Sequence, residues 1–199
     1  MVLTPSTMLP LGTPLPAFTL EQVWGDQGAV GHGERGEPWS SSALAAQPVL
    51  VLFLCAHCPF VKHIEPELTR LQNDYAGRIQ IIAISSNSTL THPQDGPEGL
   101  REQAERCGWS FPYLFDASQE VAKAFHAACT PDLFLFDAAQ RLVYRGQLDG
   151  SRPGNDQPLD GRDLRRAIEA LLAGEPISPE QKPSIGCNIK WHPEGSPGR

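Results

Sequence analysis

The 199-residue sequence has no cluster of lysines or arginines. Its 16 basic residues are outnumbered by 23 acidic ones, a formal charge of −7. That balance suits neither nucleic acid nor an anionic membrane as a partner. No apolar run approaches the roughly 20 residues needed to cross a bilayer. The opening MVLTPSTMLPLGTPLP lacks a positive leading segment and is broken by prolines, so it does not read as a signal peptide. These absences imply a cytoplasmic, reducing setting, with no nucleic-acid partner and no membrane. There is no internal repeat. There is also no second C-x-x-C and no H-x-x-x-H to complete a zinc site, so no metal or other cofactor is expected. In a reducing compartment five cysteines are reactive or ligating thiols rather than a disulfide framework, and an odd count leaves at least one unpaired.

What the sequence does have is VLFLCAHCPFVKH at 51–63, with Cys55 and Cys58 at the seam between two patterns. Before them runs an apolar segment from Val49 to Leu54 that does not alternate, the mark of a strand covered on both faces. After them Phe60, Val61, Ile64, Leu68, Leu71 and Tyr75 recur at helical spacing. A helix N-terminus carries about half a positive charge and unpaired backbone N–H groups. Both favour a thiolate, lowering a cysteine from about 8.5 to roughly 3.5–7.5. The seam is therefore where a fold can make a reactive sulfur at neutral pH. The spacing also lets Cys58 close a disulfide with Cys55.

Elsewhere strands and helices alternate. FTLEQVW (18–24) reads as an edge strand and 25–42 as a polar loop or hairpin insertion. RIQIIAIS (78–85) is a second buried strand, followed by the loop NSTLTHPQDGP. EGLREQAERCG is a helix stopped by Gly108, PYLFD a short strand, and SQEVAKAFHA a helix with Ser118 as N-cap. DLFLFD and RLVYRGQLD flank AAQ as a hairpin. The amphipathic helix GRDLRRAIEALLAG precedes a Pro-rich tail. This order implies an α/β fold with a central mixed sheet flanked by helices on both faces. The expected division is one domain over 11–174 and a tail, 175–199, that packs back on it.

Several of these segments resemble the thioredoxin fold. Thr130-Pro131, just before DLFLFD, sits where thioredoxin-like proteins keep a cis-proline facing the active site, and Pro66 interrupts the active-site helix as in many members. LGTPLPAFTLEQVWG resembles the N-terminal extension of the redoxin branch, the alkyl hydroperoxide reductase and thiol-specific antioxidant relatives. CAHCPFVKHIEPEL, CTPDLFLFD, YRGQLDGSRPGN and IGCNIKW together resemble a peroxiredoxin-like subfamily, from about Leu11 to Trp191. The resemblance implies thiol–disulfide exchange, with Cys55 and Cys58 as the redox pair and Thr130 with Pro131 exposing an edge for the substrate chain. It implies a protein or small-molecule disulfide as substrate and a thiol reductant as partner.

The residues between and around the cysteines refine this reading. Cys55, at the exposed lip of the strand, is expected to attack and Cys58 to resolve the mixed disulfide. His57 is expected to tune the pair, since an imidazole N–H or His⁺ stabilises a thiolate, and a stabler thiolate makes the disulfide more oxidising. Val49 stands where thioredoxins carry a buried aspartate. Against the peroxiredoxin pattern P-x-x-x-T-x-x-C, Val51 replaces the proline and Cys55 the threonine if Cys58 is the peroxidatic residue. Peroxidase activity is thus the second reading. The non-enzymatic alternative is a thiolate module holding a soft metal or cluster through Cys55, Cys58 and Cys129. Cys107 is a packing residue, and His63, His92, His126 and His192 share no pattern. The setting PSIGCNIKW is apolar for a tail, and makes Cys187 either a small apolar anchor or a third redox thiol.

Overall fold

The computed structural model of the chain describes residues 3–25 and 38–194. Three short strands come first: β1 (Leu3–Pro5), β2 (Thr19–Trp24) and β3 (Pro38–Ser40). The apolar run forms β4 (Val49–Phe53), in which every residue is buried. Next come α1 (Pro59–Asp74), β5 (Gln80–Ser85), α2 (Pro97–Cys107), β6 (Tyr113–Phe115) and α3 (Glu120–Ala124). The chain continues through β7 (Cys129–Thr130), β8 (Asp132–Phe136), β9 (Leu142–Gly146), α4 (Arg162–Ala173) and β10 (Ile185–Asn188). No helix among the described residues is long and apolar enough to cross a membrane.

Seven strands form one mixed sheet in the order β3-β2-β6-β5-β4-β8-β9. β4, β5 and β6 run parallel, and β8 and β9 continue the sheet antiparallel beside β4. The two parallel crossovers step the same way along the sheet, so their common handedness puts α1 and α2 on one face. There, with α4, they bury Leu50 and Leu52. The other face carries Val49, Val51 and Phe53 under α3 and an aromatic group of Phe18, Trp39, Phe125 and Phe134. The central mixed sheet flanked by helices on both faces, expected from the element order, is the one observed.

Local expectations differ from the structure in two places. FTLEQVW is not an edge: β2 lies between β3 and β6, and the edge strand comes from the stretch read as a polar insertion, of which residues 26–37 lie outside the described residues. The cap of α3 is Gln119 in the left-handed region, not Ser118. Ser118 Oγ still accepts the Glu120 amide, at 3.3 Å. Gly108, at φ 65°, does end α2, where a glycine adopts positive φ without a Cβ clash.

β1, β10 and β7 make a second, antiparallel sheet. The apolar tail segment therefore packs back on the domain. The register sets Cys187 opposite Thr130, which brings the last cysteine to the carboxyl end of β4.

Candidate active site

β4 and β5 end side by side, with the Leu54 amide donating to Ile84 O at 2.9 Å. The chain then turns through residues 55–58 and enters α1 with Pro59 in its first turn, where a missing N–H costs nothing. The N-cap is Cys58. It is thus Cys58, rather than Cys55, that sits where helix amides and dipole favour negative charge.

Three sulfurs meet around Thr130. Cys55 Sγ is 3.3 Å from Thr130 Oγ1. Cys58 Sγ is 3.3 Å from the Thr130 carbonyl oxygen, which accepts a hydrogen bond from it when Cys58 is a thiol. Cys58 Sγ and Cys187 Sγ are 2.7 Å apart, about 0.7 Å beyond a disulfide bond length. All three cysteines are buried. Their acidities diverge. The Cys58 thiol is drawn down to about 5, chiefly by a hydrogen bond from Cys55; burial opposes this, but the Cys187 thiol and the Val61 and Cys187 amides add to it. Cys55 is pushed well above the ordinary range by burial, then by its bond to Cys58 and the charges of Asp95 and Cys58. Burial, then Cys58, pushes Cys187 up to about 12, against the pull of Lys190. Of the three thiols, Cys58 is the most acidic.

Behind the turn lies Asp95, fully buried. Its Oδ1 accepts the amides of Ala56 at 2.9 Å and His57 at 3.1 Å. Its Oδ2 meets His57 Nδ1 at 2.5 Å and accepts Asn87 Nδ2 at 2.8 Å. Burial would raise this carboxyl, but the His57 and Asn87 hydrogen bonds and the His57 charge hold it below the usual range. On the other side, Gln103 Nε2 donates to Cys55 O at 3.3 Å and to Glu65 at 2.9 Å, and Arg106 grips both oxygens of Glu65. The C-x-x-C turn is thus fixed by a buried carboxylate on one side and an amide tied to an ion pair on the other.

Cys55, His57 and Asp95 place their donor atoms within 4.8 Å of one another, the one trio among the described residues with metal-binding spacing. The carboxylate is already saturated by four donors, and the His57 nitrogen that would ligate is spent on it. The trio therefore reads as a hydrogen-bonded clamp. Cys129 does not complete the metal set proposed from the sequence: its sulfur faces Pro131 O at 3.5 Å.

The sequence model of the AhpC/TSA family matches residues 11–145. The chain belongs to the AhpC/TSA family. No curated protein matches it. Among solved structures, an uncharacterized conserved protein from Geobacillus kaustophilus is 45% identical, with a TM-score of 0.89 over 98% of this chain and 99% of that one. A hypothetical protein from Sinorhizobium meliloti 1021 is 41% identical, with a TM-score of 0.86 over 95% and 98%. A secreted Mycobacterium tuberculosis disulfide oxidoreductase shares the fold at 14% identity, with a TM-score of 0.58 over 77% of this chain and 96% of that one.

In this AhpC/TSA chain the structure brings together Cys55, Cys58, Thr130 and Cys187, and Thr130-Pro131 is cis. Three expectations change. Cys55 is not at an exposed lip but fully buried, because Leu54 prolongs the pairing of β4 and the turn folds inward under β10. His57 is near Cys55, with a ring nitrogen within 4.8 Å of its sulfur, but the ring is held by Asp95 and lies 4.8 Å from that of His92. The Thr130 edge is not open, since β10 pairs with it. Asp95 and Gln103 were not singled out from sequence. Asp95 looked like a turn residue in HPQDGP, yet parallel pairing of β4 with β5 necessarily sets the loop after one beside the loop after the other, the place where α/β folds build sites.

Proposed function

We propose that the chain is a thiol–disulfide oxidoreductase whose redox centre is Cys55-Ala-His-Cys58, with Cys58 as the nucleophile. The observation that carries this reading is that Cys58, three residues from Cys55, caps the N-terminus of α1, where unpaired amides and the helix dipole favour a thiolate. The substrate is a protein or small-molecule disulfide. The Cys58 thiolate attacks one of its sulfurs, the substrate S–S bond breaks, and the departing thiolate takes a proton from solvent. Bonding neutralises the Cys58 sulfur, which removes two of the causes holding Cys55 protonated. Cys55 then attacks Cys58 Sγ, and its proton leaves with the second substrate thiol. The chain ends with a Cys55–Cys58 disulfide, two electrons poorer, and a thiol reductant restores it.

His57 is a positioning residue in this scheme: with Asp95 it fixes the turn that carries both sulfurs. Thr130 and Pro131 line the substrate approach once β10 lifts from the Thr130 edge that it covers. Mass mapping of trapped thiols across a glutathione redox series is the test. A Cys55–Cys58 couple titrating as one unit supports the reading, and a Cys58 that stays reduced throughout sinks it. Complete burial of the sulfurs favours a second reading, reduction of a small peroxide at Cys58. Oxidation by hydrogen peroxide at a catalytic rate, rather than a slow stoichiometric one, would select it.

A further inference from the structure

We propose that Cys187 is a resolving thiol of this centre, carried to Cys58 on β10 as a resident substrate strand. The inference rests on Cys58 being the nucleophile. β10 lies antiparallel on β7 with Cys187 opposite Thr130, so the chain's own segment fills the edge beside Pro131. The fit is close: a Cβ on Gly186 would stand 2.1 Å from Thr130 O, which admits glycine alone. The segment is also fastened beyond the cysteine. The Lys190 amide donates to Asn87 Oδ1 at 2.8 Å and Lys190 O accepts Ser88 N at 2.7 Å. His192 N donates to Gln119 Oε1 at 2.8 Å. A packing cysteine would need none of this, nor a sulfur 2.7 Å from the thiolate.

The step balances without a further oxidant. Once Cys58 carries one half of the substrate as a mixed disulfide, Cys187 gives up its proton and attacks Cys58 Sγ. The Cys58–Cys187 bond forms, the bond to the substrate sulfur breaks, and that sulfur leaves with the electron pair and the proton. Cys55 and Cys187 compete for the same atom. Neutralising Cys58 relieves both, but the Asp95 charge still opposes a Cys55 thiolate, whereas Lys190 favours one at Cys187. The product ties β10 covalently onto the Thr130 edge. Oxidation therefore locks shut the docking edge that β10 already covers, and reduction frees the strand to lift.

The test treats full-length Cys55→Ser with excess oxidised glutathione, blocks free thiols and maps the digest by mass. The expected product joins the Cys58 peptide to the Cys187 peptide, with both halves of the glutathione disulfide released. Glutathione retained on Cys58 beside an alkylatable Cys187 overturns the inference and leaves the oxidoreductase reading standing. A Cys58 that takes no glutathione overturns both. Should that variant not fold, the wild-type digest decides: a Cys58–Cys187 link supports the proposal, and Cys55–Cys58 alone overturns it.

Discussion

Asp95 holds His57 twice, through the ring Nδ1 at 2.5 Å and the backbone amide at 3.1 Å. Replacing Asp95 with alanine strips the Ala56 and His57 amides and Asn87 of their acceptor in a buried setting. Each such orphan costs about 1–3 kcal/mol, so urea unfolding should show a loss of about 3 kcal/mol. The native carboxyl is depressed, so its stabilisation is present above the unfolded value of about 3.9 and disappears as pH falls through the native one. The gap between wild type and variant should hold at neutral pH and narrow below about pH 4. A gap independent of pH would detach the effect from the ionised carboxylate.

Cys58 should be the first thiol to react in the reduced protein. Iodoacetamide labelling read by mass should give it a midpoint near 5, while Cys55 and Cys187 stay unlabelled through pH 7. Prior labelling of Cys55 would restore the order expected from the sequence and reverse the roles in the proposed mechanism.

Gly186→Ala should loosen β10. The added Cβ meets backbone, not a yielding side chain, and overpacking of this kind costs about 1–3 kcal/mol. Hydrogen exchange at the Ile189 amide, which donates to Ala128 O at 3.1 Å, should quicken, and Cys187 should become alkylatable. Unchanged protection would mean that the strand tolerates the shift.

Cys107→Ser should leave redox turnover unaltered. Burial, with the neighbouring Glu65 charge, pushes this thiol up to about 11, so it has little thiolate to offer at neutral pH. A loss of turnover with intact stability would give Cys107 a role that its surroundings do not suggest.

The parts of this molecule readable from the sequence are those set by local patterns. Val49 to Leu54 could only be a covered strand, Gly108 could only end its helix, and the C-x-x-C could only fall between strand and helix. The polarity of the site was not local. Which cysteine ionises depends on where the helix begins, and Pro59 moves that start past Cys55 to Cys58. Asp95 reaches the site through strand pairing 39 positions away in sequence, and Cys187 through a register 57 positions from Thr130 (187 − 130). No periodicity encodes either distance. His57 misled for the same reason: adjacency to two cysteines in sequence said nothing about the buried carboxylate that binds its ring.

Thr130 touches Cys55 with its hydroxyl, Cys58 with its carbonyl, and the strand of Cys187 with its backbone. Two of these three links belong to the main chain, which every amino acid supplies. Thr130→Val should therefore disturb Cys55 and leave the other two sulfurs where they are. A mutational scan of the chain would register only the Cys55 link at this position although it is the hub of the centre, and chemistry that alters the peptide itself, such as replacing that amide with an ester, would expose the rest of its weight.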